Sequence, residues 1–233
     1  KILIAKGLKP TALAGHSLGE YSALTIAGAF DFNLGLELVK VRSQSMANAG
    51  KENKGKMAAI VGLNHSLVDS ICSSVNKIDV VVPANYNSPN QVVISGNKEA
   101  VNLAMNKAKG FGAKMVLELK VSGAFHSPLM EPAREHLADF INSIEIKETN
   151  YPVYTNFDAK PKRRGNEIKQ SLIKQLMSPV LWSETIMTMK NHNIESFIEI
   201  GPGKVLQGLN KRIDRSIFCT GVGSKADLED LFV

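Results

Sequence analysis

The order of strands and helices predicted for the first half of the chain is the feature that most constrains its fold. Between residues 51 and 122, apolar alternation and helical periodicity predict a strand, a helix, two strands, a helix and a strand. Ser-Pro-Asn at residues 88–90, a turn by composition, joins the two central strands. This β-α-β-β-α-β order is that of the ferredoxin-like unit. We therefore predict a ferredoxin-like subdomain at residues 51–122.

The residues on both sides of this subdomain predict a different arrangement. Short apolar strands, among them Thr11–Gly15 and Ser196–Ile200, alternate with helices such as Leu18–Phe30. Strands that alternate with helices imply a largely parallel sheet. We therefore predict an α/β fold whose core comprises residues 1–50 and 123–233, with the ferredoxin-like subdomain inserted into it.

The composition argues against several kinds of site and partner. The two cysteines, Cys72 and Cys219, form no C-x-x-C pattern, so we expect no disulfide and no metal site, and a reducing cytoplasm as the location. The net charge of +6 favours an anionic partner. Because the few aromatic residues are not interleaved with basic ones, we expect no nucleic-acid partner. No apolar run reaches the roughly 20 residues of a membrane-spanning helix, so we expect no membrane partner.

The first residues, "KILIAKGLKP", predict a helix that is entered midway. Residues 1–6 have the pattern of a helix tail, with Gly7 as its stop and Pro10 shortly after. There is neither an initiator Met nor a signal-peptide pattern. We therefore expect that an upstream segment is missing from this sequence.

The segment "AGHSLGE" gives Ser17 two possible roles. Gly15-x-Ser17-x-Gly19 fits the nucleophile elbow, in which glycines permit a tight strand-to-helix turn that exposes a serine hydroxyl. Ser17 and Glu20 also fit the S-x-x-E capping box, in which the serine only satisfies the first helical turn. The pattern itself leaves both roles open.

A serine nucleophile needs a base, and histidine is the usual one. Among the five histidines, His126 in "SGAFHSPLM" follows the last strand of the insertion among small or apolar residues, which suits either a base or a buried core histidine. His16 adjoins Ser17 but points the other way in an extended backbone, so it is a poor base. An α/β-hydrolase triad has its acid between serine and histidine in the chain, but here the acids of the insertion, such as Asp69 and Glu99, lie on predicted surface helices. We therefore expect a group other than a carboxylate to orient the histidine.

Arg42 lies one helical turn from Leu38 and from Met46, at the border of an apolar stripe. Such an arginine commonly lays its stem along apolar surface and keeps its charge in water. A guanidinium held in an apolar pocket would instead grip a carboxylate with two parallel hydrogen bonds.

Six segments together resemble the malonyl-CoA:acyl carrier protein transacylases, relatives of the acyltransferase domains of polyketide synthases. They are "GHSLGEYSAL", "RSQSM", "NYNSPNQVVISG", "FHSPLM", "QLMSPVLW" and "EIGPGKVLQGL", in this order. The resemblance implies an α/β-hydrolase-like core that carries a ferredoxin-like subdomain. The family also begins with a strand and a glutamine-containing glycine loop that supplies an oxyanion donor, and nothing in this sequence matches them.

The resemblance implies a role for each candidate residue. Ser17 matches the nucleophile, and His126 matches its base. The backbone carbonyl of Gln175 would orient the histidine, the N–H of Leu18 would donate to the oxyanion, and Arg42 would pair with the malonyl carboxylate. The remaining substrate-binding candidates are Met46, Phe125 and His16.

The implied function is transfer of a malonyl group from malonyl-CoA to the phosphopantetheine thiol of acyl carrier protein, for fatty acid synthesis, through a malonyl-serine intermediate. We expect a monomer that uses no metal and no cofactor. Two alternatives stay open. The chain could be a serine thioesterase or esterase, or a non-catalytic module that binds carrier protein if the upstream segment is truly absent.

Overall fold

The computed structural model describes residues 2–232, which form nine strands and ten α-helices. The strands are β1 (Leu13–Ala14), β2 (Gly55–Val61), β3 (Val81–Ser88), β4 (Gln91–Asn97), β5 (Met115–Glu118), β6 (Val153–Tyr154), β7 (Pro161–Lys162), β8 (Ser196–Ile200) and β9 (Phe218–Val222). The helices are α1 (Ile2–Ala5), α2 (Leu18–Ala27), α3 (Phe32–Glu52), α4 (His65–Asn76), α5 (Lys98–Gly110), α6 (Glu131–Ser143), α7 (Gly165–Gln175), α8 (Trp182–Asn191), α9 (Val205–Ile213) and α10 (Lys225–Asp230).

The insertion contains a four-stranded antiparallel sheet in the order β3-β4-β2-β5. Along β2, Ala58 and Ile60 pack with α4 and α5, whereas Met57 and Ala59 face the opposite side of the sheet. This alternation follows from the two-residue period of a strand. The elements follow the order expected from the sequence, while the subdomain bounds at residues 51 and 122 stay a prediction.

The rest of the chain confirms the α/β class but differs from the expected sheet. Parallel pairing occurs in two separate ladders, β1 with β6 and β8 with β9, and β7 adds to β6 in the antiparallel sense. Within residues 2–232, the core pairing is therefore largely parallel, as expected, and it is divided between two ladders. The strand expected over Thr11–Gly15 forms a ladder of only two residues, because the chain turns sharply at Gly15.

Several element bounds also differ from the sequence-based expectations. The helix expected to run to Phe30 ends at Ala27, because Gly28 takes the left-handed conformation with φ 88°. The basic run "KPKRR" at residues 160–164 contains β7, an edge strand that tolerates Pro161. The strand β9 and the helix α10 were not expected. The helical tail expected at the start is α1, and Lys1 lies outside the described residues.

A helical core underlies the site. Buried side chains of α2, α3, α6 and α7 pack together, among them Tyr21, Leu24, Leu38, Leu137 and Leu172. Strand β3 of the insertion pairs with Val180, which lies between α7 and α8. The N–H of Val180 donates to Ala84 O at 2.8 Å, and the N–H of Tyr86 donates to Val180 O at 2.9 Å. None of the helices in residues 2–232 is both long and apolar enough to span a bilayer.

Candidate active site

The turn between β1 and α2 places Ser17 in a strained, half-buried position. A Cβ atom on Gly15 would lie 2.0 Å from the backbone carbonyl carbon of Gly19, so only glycine fits there. Ser17 itself has φ 51° and ψ −103° and makes no side-chain cap to α2. The capping-box interpretation is therefore wrong, because the Ser17 hydroxyl and the Glu20 carboxylate both bond to other groups.

The Ser17 hydroxyl lies 2.8 Å from Nε2 of His126. The histidine's other nitrogen, Nδ1, lies 3.0 Å from the carbonyl oxygen of Gln175 and 3.1 Å from that of Ser178. Because carbonyl oxygens only accept hydrogen bonds, Nδ1 carries the proton and Nε2 is free to accept one from Ser17. Two main-chain carbonyls thus occupy the place that a carboxylate takes in a Ser-His-Asp triad.

Burial keeps this histidine neutral. His126 is 3% exposed, and desolvation, followed by the nearby charge of Arg42, lowers its pKa to about 4. A neutral imidazole is the form that can accept the proton of a serine hydroxyl.

Arg42 of α3 is part of the same cluster. Its Nη2 donates to Ser17 Oγ at 2.9 Å, and its guanidinium lies 5.5 Å from the centre of the Tyr21 ring. The side chain is buried, so the interpretation of a solvated arginine at the edge of the apolar stripe is wrong. Its Nε finds no hydrogen-bond partner among residues 2–232, and burial lowers the pKa of the guanidinium. A buried cation with an unpaired donor is suited to bind a carboxylate.

Three buried polar residues support this cluster from below. The side chain of Asn156 accepts from Ser17 N–H at 2.6 Å and donates to Gly15 O at 2.7 Å. The Glu20 carboxylate accepts from Asn156 N–H at 2.9 Å and from Gln175 Nε2 at 2.8 Å. Gln175 Nε2 also lies 3.2 Å from Ser17 O. Burial raises the pKa of Glu20 to about 7.

Sequence reasoning missed Asn156 and the role of the Gln175 side chain. Asn156 follows β6, which pairs in parallel with β1, so the two strands end at the same edge of the sheet as the Ser17 turn. The general rule that ligands gather at the carboxyl ends of parallel strands could have drawn attention to it. Nothing in the segment "KQLMSPV" indicates that the Gln175 amide reaches Ser17.

The remaining candidates lie around the cluster. His16 points away from Ser17, as expected: its Nε2 lies 2.8 Å from Asn87 Oδ1, and its ring lies 5.6 Å from that of Trp182. Leu18 is the first residue of α2, where the backbone N–H has no helical carbonyl to bond.

Met46 and Phe125 lie next to site residues, Met46 one helical turn from Arg42 and Phe125 directly before His126. Met46 is buried in the helical core, one turn beyond Arg42. Phe125 packs both on this core and on the face of the inserted sheet that carries Met57. The substrate-binding roles expected for Met46, Phe125 and His16 stay predictions. Across the described residues, no group of three or more His, Cys, Asp or Glu side chains is placed to hold a metal ion.

Known proteins share this sequence and fold. The family model described as "Acyl transferase domain" matches residues 1–226. The chain is 40% identical over 225 residues to the malonyl CoA-acyl carrier protein transacylase of Staphylococcus aureus (strain MSSA476), a match that covers 96% of this chain and 73% of that protein. The transacylase of the same name from Haemophilus influenzae is 45% identical over 206 residues, covering 88% of this chain and 66% of that protein.

Solved structures give the same result. An acyl carrier protein S-malonyltransferase from Vibrio cholerae superposes with a TM-score of 0.95 at 42% identity, over 99% of this chain and 76% of that one. A malonyl-transacylase solved in complex with a type II PKS acyl-carrier protein gives a TM-score of 0.94 at 41% identity, over 98% of this chain and 74% of that one. With a family match over nearly its whole length, this chain belongs to the acyl transferase domain family.

Proposed function

We propose that the protein transfers a malonyl group from malonyl-CoA to the phosphopantetheine thiol of acyl carrier protein, as a step that supplies fatty acid synthesis. The names of its relatives support this substrate and acceptor. The observation that carries the proposal is that a neutral base and a buried cation both lie within hydrogen-bond distance of the Ser17 hydroxyl. The base is His126 and the cation is Arg42.

The geometry supports a two-stage, ping-pong acyl transfer. His126 Nε2 takes the Ser17 proton while the serine oxygen attacks the thioester carbonyl, and the developing oxyanion lies near the N–H groups at the start of α2. The protonated His126 then gives its proton to the departing CoA sulfur. In the second stage, His126 takes the proton of the incoming pantetheine thiol, which attacks the malonyl-serine ester. His126 then returns that proton to the departing Ser17 oxygen and is neutral again.

Arg42 is the basis of the proposed acyl selectivity. A malonyl thioester differs from an acetyl thioester by one carboxylate, and burying that charge is costly unless it is paired. The Arg42 guanidinium provides the pairing, and it already lies 2.9 Å from the serine oxygen that would carry the acyl group. The same cation would be left unpaired when an acetyl group occupies the site.

Several finer expectations belong to this proposal. We propose a cytoplasmic monomer that needs neither a metal ion nor a bound cofactor, because acyl transfer between thiols uses only the nucleophile, the base and hydrogen-bond donors. The net charge of +6 is compatible with two anionic partners, CoA and an acidic carrier protein.

The proposal is tested by incubating the protein with malonyl-CoA and mapping the acylated residue by peptide mass spectrometry. We expect one malonyl adduct, on Ser17, which is discharged by holo acyl carrier protein far faster than by water. An adduct on another residue would exclude Ser17 as the nucleophile. Discharge at the same rate with and without carrier protein would instead indicate a thioesterase.

A further inference from the structure

Both members of the Ser17–His126 pair have a backbone conformation that non-glycine residues rarely adopt. Ser17 has φ 51° and His126 has φ 58°, and only two other non-glycine residues among those described, Ala159 and Asn193, have a positive φ. Such conformations persist only where the surroundings hold them in place. Some part of the structure must therefore fix the backbone at Ser17 and His126.

The hydrogen bonds below the pair identify that part. Gln175 touches both members: its carbonyl accepts from His126 Nδ1, and its side-chain amide lies 3.2 Å from the carbonyl oxygen of Ser17. Asn156 holds the other side of Ser17 by accepting from its N–H at 2.6 Å. Gln175 and Asn156 belong to different elements, one at the end of α7 and the other after β6.

One oxygen atom joins these two supports. Oε2 of Glu20 accepts from the backbone N–H of Asn156 at 2.9 Å and from Nε2 of Gln175 at 2.8 Å. Glu20 is fully buried and lies in the first turn of α2, the helix that Ser17 precedes. Its other oxygen, Oε1, has no hydrogen-bond partner among residues 2–232. Burying a carboxyl group costs free energy unless it is hydrogen-bonded. At Glu20, the two hydrogen bonds that offset this cost are those to Asn156 and Gln175.

We propose that Glu20 is a positioning residue for the acyl transfer, which acts by holding Asn156 and Gln175 against Ser17 and His126. This inference rests on the function proposed above. Glu20 does not touch the reacting atoms, and it does not bond to His126, so it is not the missing acid of a triad. It acts through Gln175, whose carbonyl orients the base.

The acceptor at Oε2, rather than a full negative charge, is the property that this role requires. A glutamine at position 20 keeps an amide oxygen for the two donors, whereas alanine removes it and leaves both donors unpaired in a buried site. Glu20→Gln therefore tests whether the negative charge is needed, and Glu20→Ala tests whether the hydrogen-bond acceptor is needed.

The experiment measures how fast Ser17 reacts with a fluorophosphonate probe, which reports the serine–histidine pair without requiring malonyl recognition. We expect Glu20→Ala to slow labelling by about 10²-fold, because small displacements of reacting groups have effects of that size. Glu20→Gln should label at close to the wild-type rate. For malonyl transfer, Glu20→Ala should lower kcat and leave the KM for malonyl-CoA nearly unchanged. Ile94→Val, in the apolar core of the insertion, is a control that lowers stability without slowing labelling.

The possible outcomes are distinct. If folded Glu20→Ala labels at the wild-type rate, or Glu20→Gln slows as much as Glu20→Ala, the positioning role is overturned while the proposed function stands. If the wild-type protein itself is not labelled at Ser17, both fail. Should Glu20→Ala not fold, Gln175→Met replaces it, because methionine keeps the backbone carbonyl and the side-chain length but loses the amide. Slower labelling of Gln175→Met supports the inference, and unchanged labelling overturns it.

Discussion

The inserted sheet and the corner around Ser17 are built on opposite principles. The insertion buries a cluster of apolar side chains between its sheet and the helices α4 and α5, and β2 pairs with β4 along its whole length. The corner around Ser17 buries Glu20, Arg42, His126, Asn156 and Gln175. Of the six buried side-chain atoms without a partner among the described residues, four belong to this corner or to the adjoining Tyr21.

The difference separates the source of stability from the source of reactivity. Burial of apolar surface is favourable on its own, whereas buried polar groups are costly unless every donor and acceptor is paired. The corner also contains the two strained backbone positions, Ser17 and His126. It is therefore held together by the helical core around it, and substitutions in the two regions should have different effects.

The largest expected effect is loss of activity at the Ser17–His126 pair. Ser17→Ala and His126→Ala should each lower the transfer rate by about 10⁴- to 10⁶-fold, as removal of a serine or its base does in related chemistry. The melting temperature should change little, because neither side chain contributes to an apolar core. The rate is measured with malonyl-CoA and holo acyl carrier protein. A strong fall in melting temperature in either variant would break the proposed separation of stability and reactivity.

The next effect concerns Arg42 and acyl selectivity. Arg42→Ala should lower the ratio of kcat/KM for malonyl-CoA to that for acetyl-CoA by roughly 30- to 5,000-fold, equivalent to the about 2–5 kcal/mol typical of a buried charge pair. Arg42→Lys should recover only part of the ratio, because an ammonium cannot form two parallel bonds to a carboxylate. An unchanged ratio in Arg42→Ala would show that the malonyl carboxylate binds elsewhere.

A substitution in the insertion should show the opposite pattern. Ile60 is fully buried in β2, and Ile60→Ala should lower the free energy of unfolding by about 2–5 kcal/mol through lost contacts and a cavity. Chemical denaturation measures this loss. The rate at which folded Ile60→Ala reacts with a fluorophosphonate at Ser17 should equal that of the wild type. A slower reaction would mean that the insertion helps to shape the corner.

Acid should affect the corner through His126. Because its pKa is about 4 when folded, labelling of Ser17 should be steady above that pH and fall about tenfold per unit below it, as Nε2 becomes protonated. The unfolded chain binds this proton nearer pH 6.5. His126 therefore lowers stability progressively as the pH falls from about 6.5 to about 4. Measuring the labelling rate in Glu20→Gln removes the titration of Glu20 near pH 7 from the profile. A midpoint near 6.5 would show that His126 is not buried in solution.

Local patterns in the sequence predicted the elements better than their assembly. The strand over residues 196–200 was predicted with its observed bounds, because a Gly-Pro-Gly turn follows it directly. The division of the parallel pairing into two ladders was not predicted, since strand pairing depends on contacts far apart in the chain. The strand β9 was missed because its residues are only partly buried and β8 supplies the pairing that stabilises it.

In the site, too, residues in local motifs were predicted, whereas contacts between distant parts of the chain were not. Ser17, His126 and Arg42 stand in recognisable segments, and the structure brings all three to one hydroxyl. The capping box and the nucleophile elbow share Ser17, and only the backbone conformation decides between them. Asn156 and the amide of Gln175 act through distant main-chain groups of residues 15–17, and no local pattern predicts such contacts.

The two carbonyls that face His126 Nδ1 have a consequence for how the protein tolerates mutation. A carboxylate in that place would belong to one side chain, so a single substitution could remove it and inactivate the protein. It would also have a pKa of its own. The carbonyls of Gln175 and Ser178 belong to the peptide backbone, so no exchange of side chain deletes them, and they have no proton to lose. A saturation screen should therefore find no essential acidic residue that bonds directly to His126, in contrast to Glu20, which acts through Gln175. Insertions, deletions and prolines between residues 175 and 178 should be inactivating instead, because they move the chain itself.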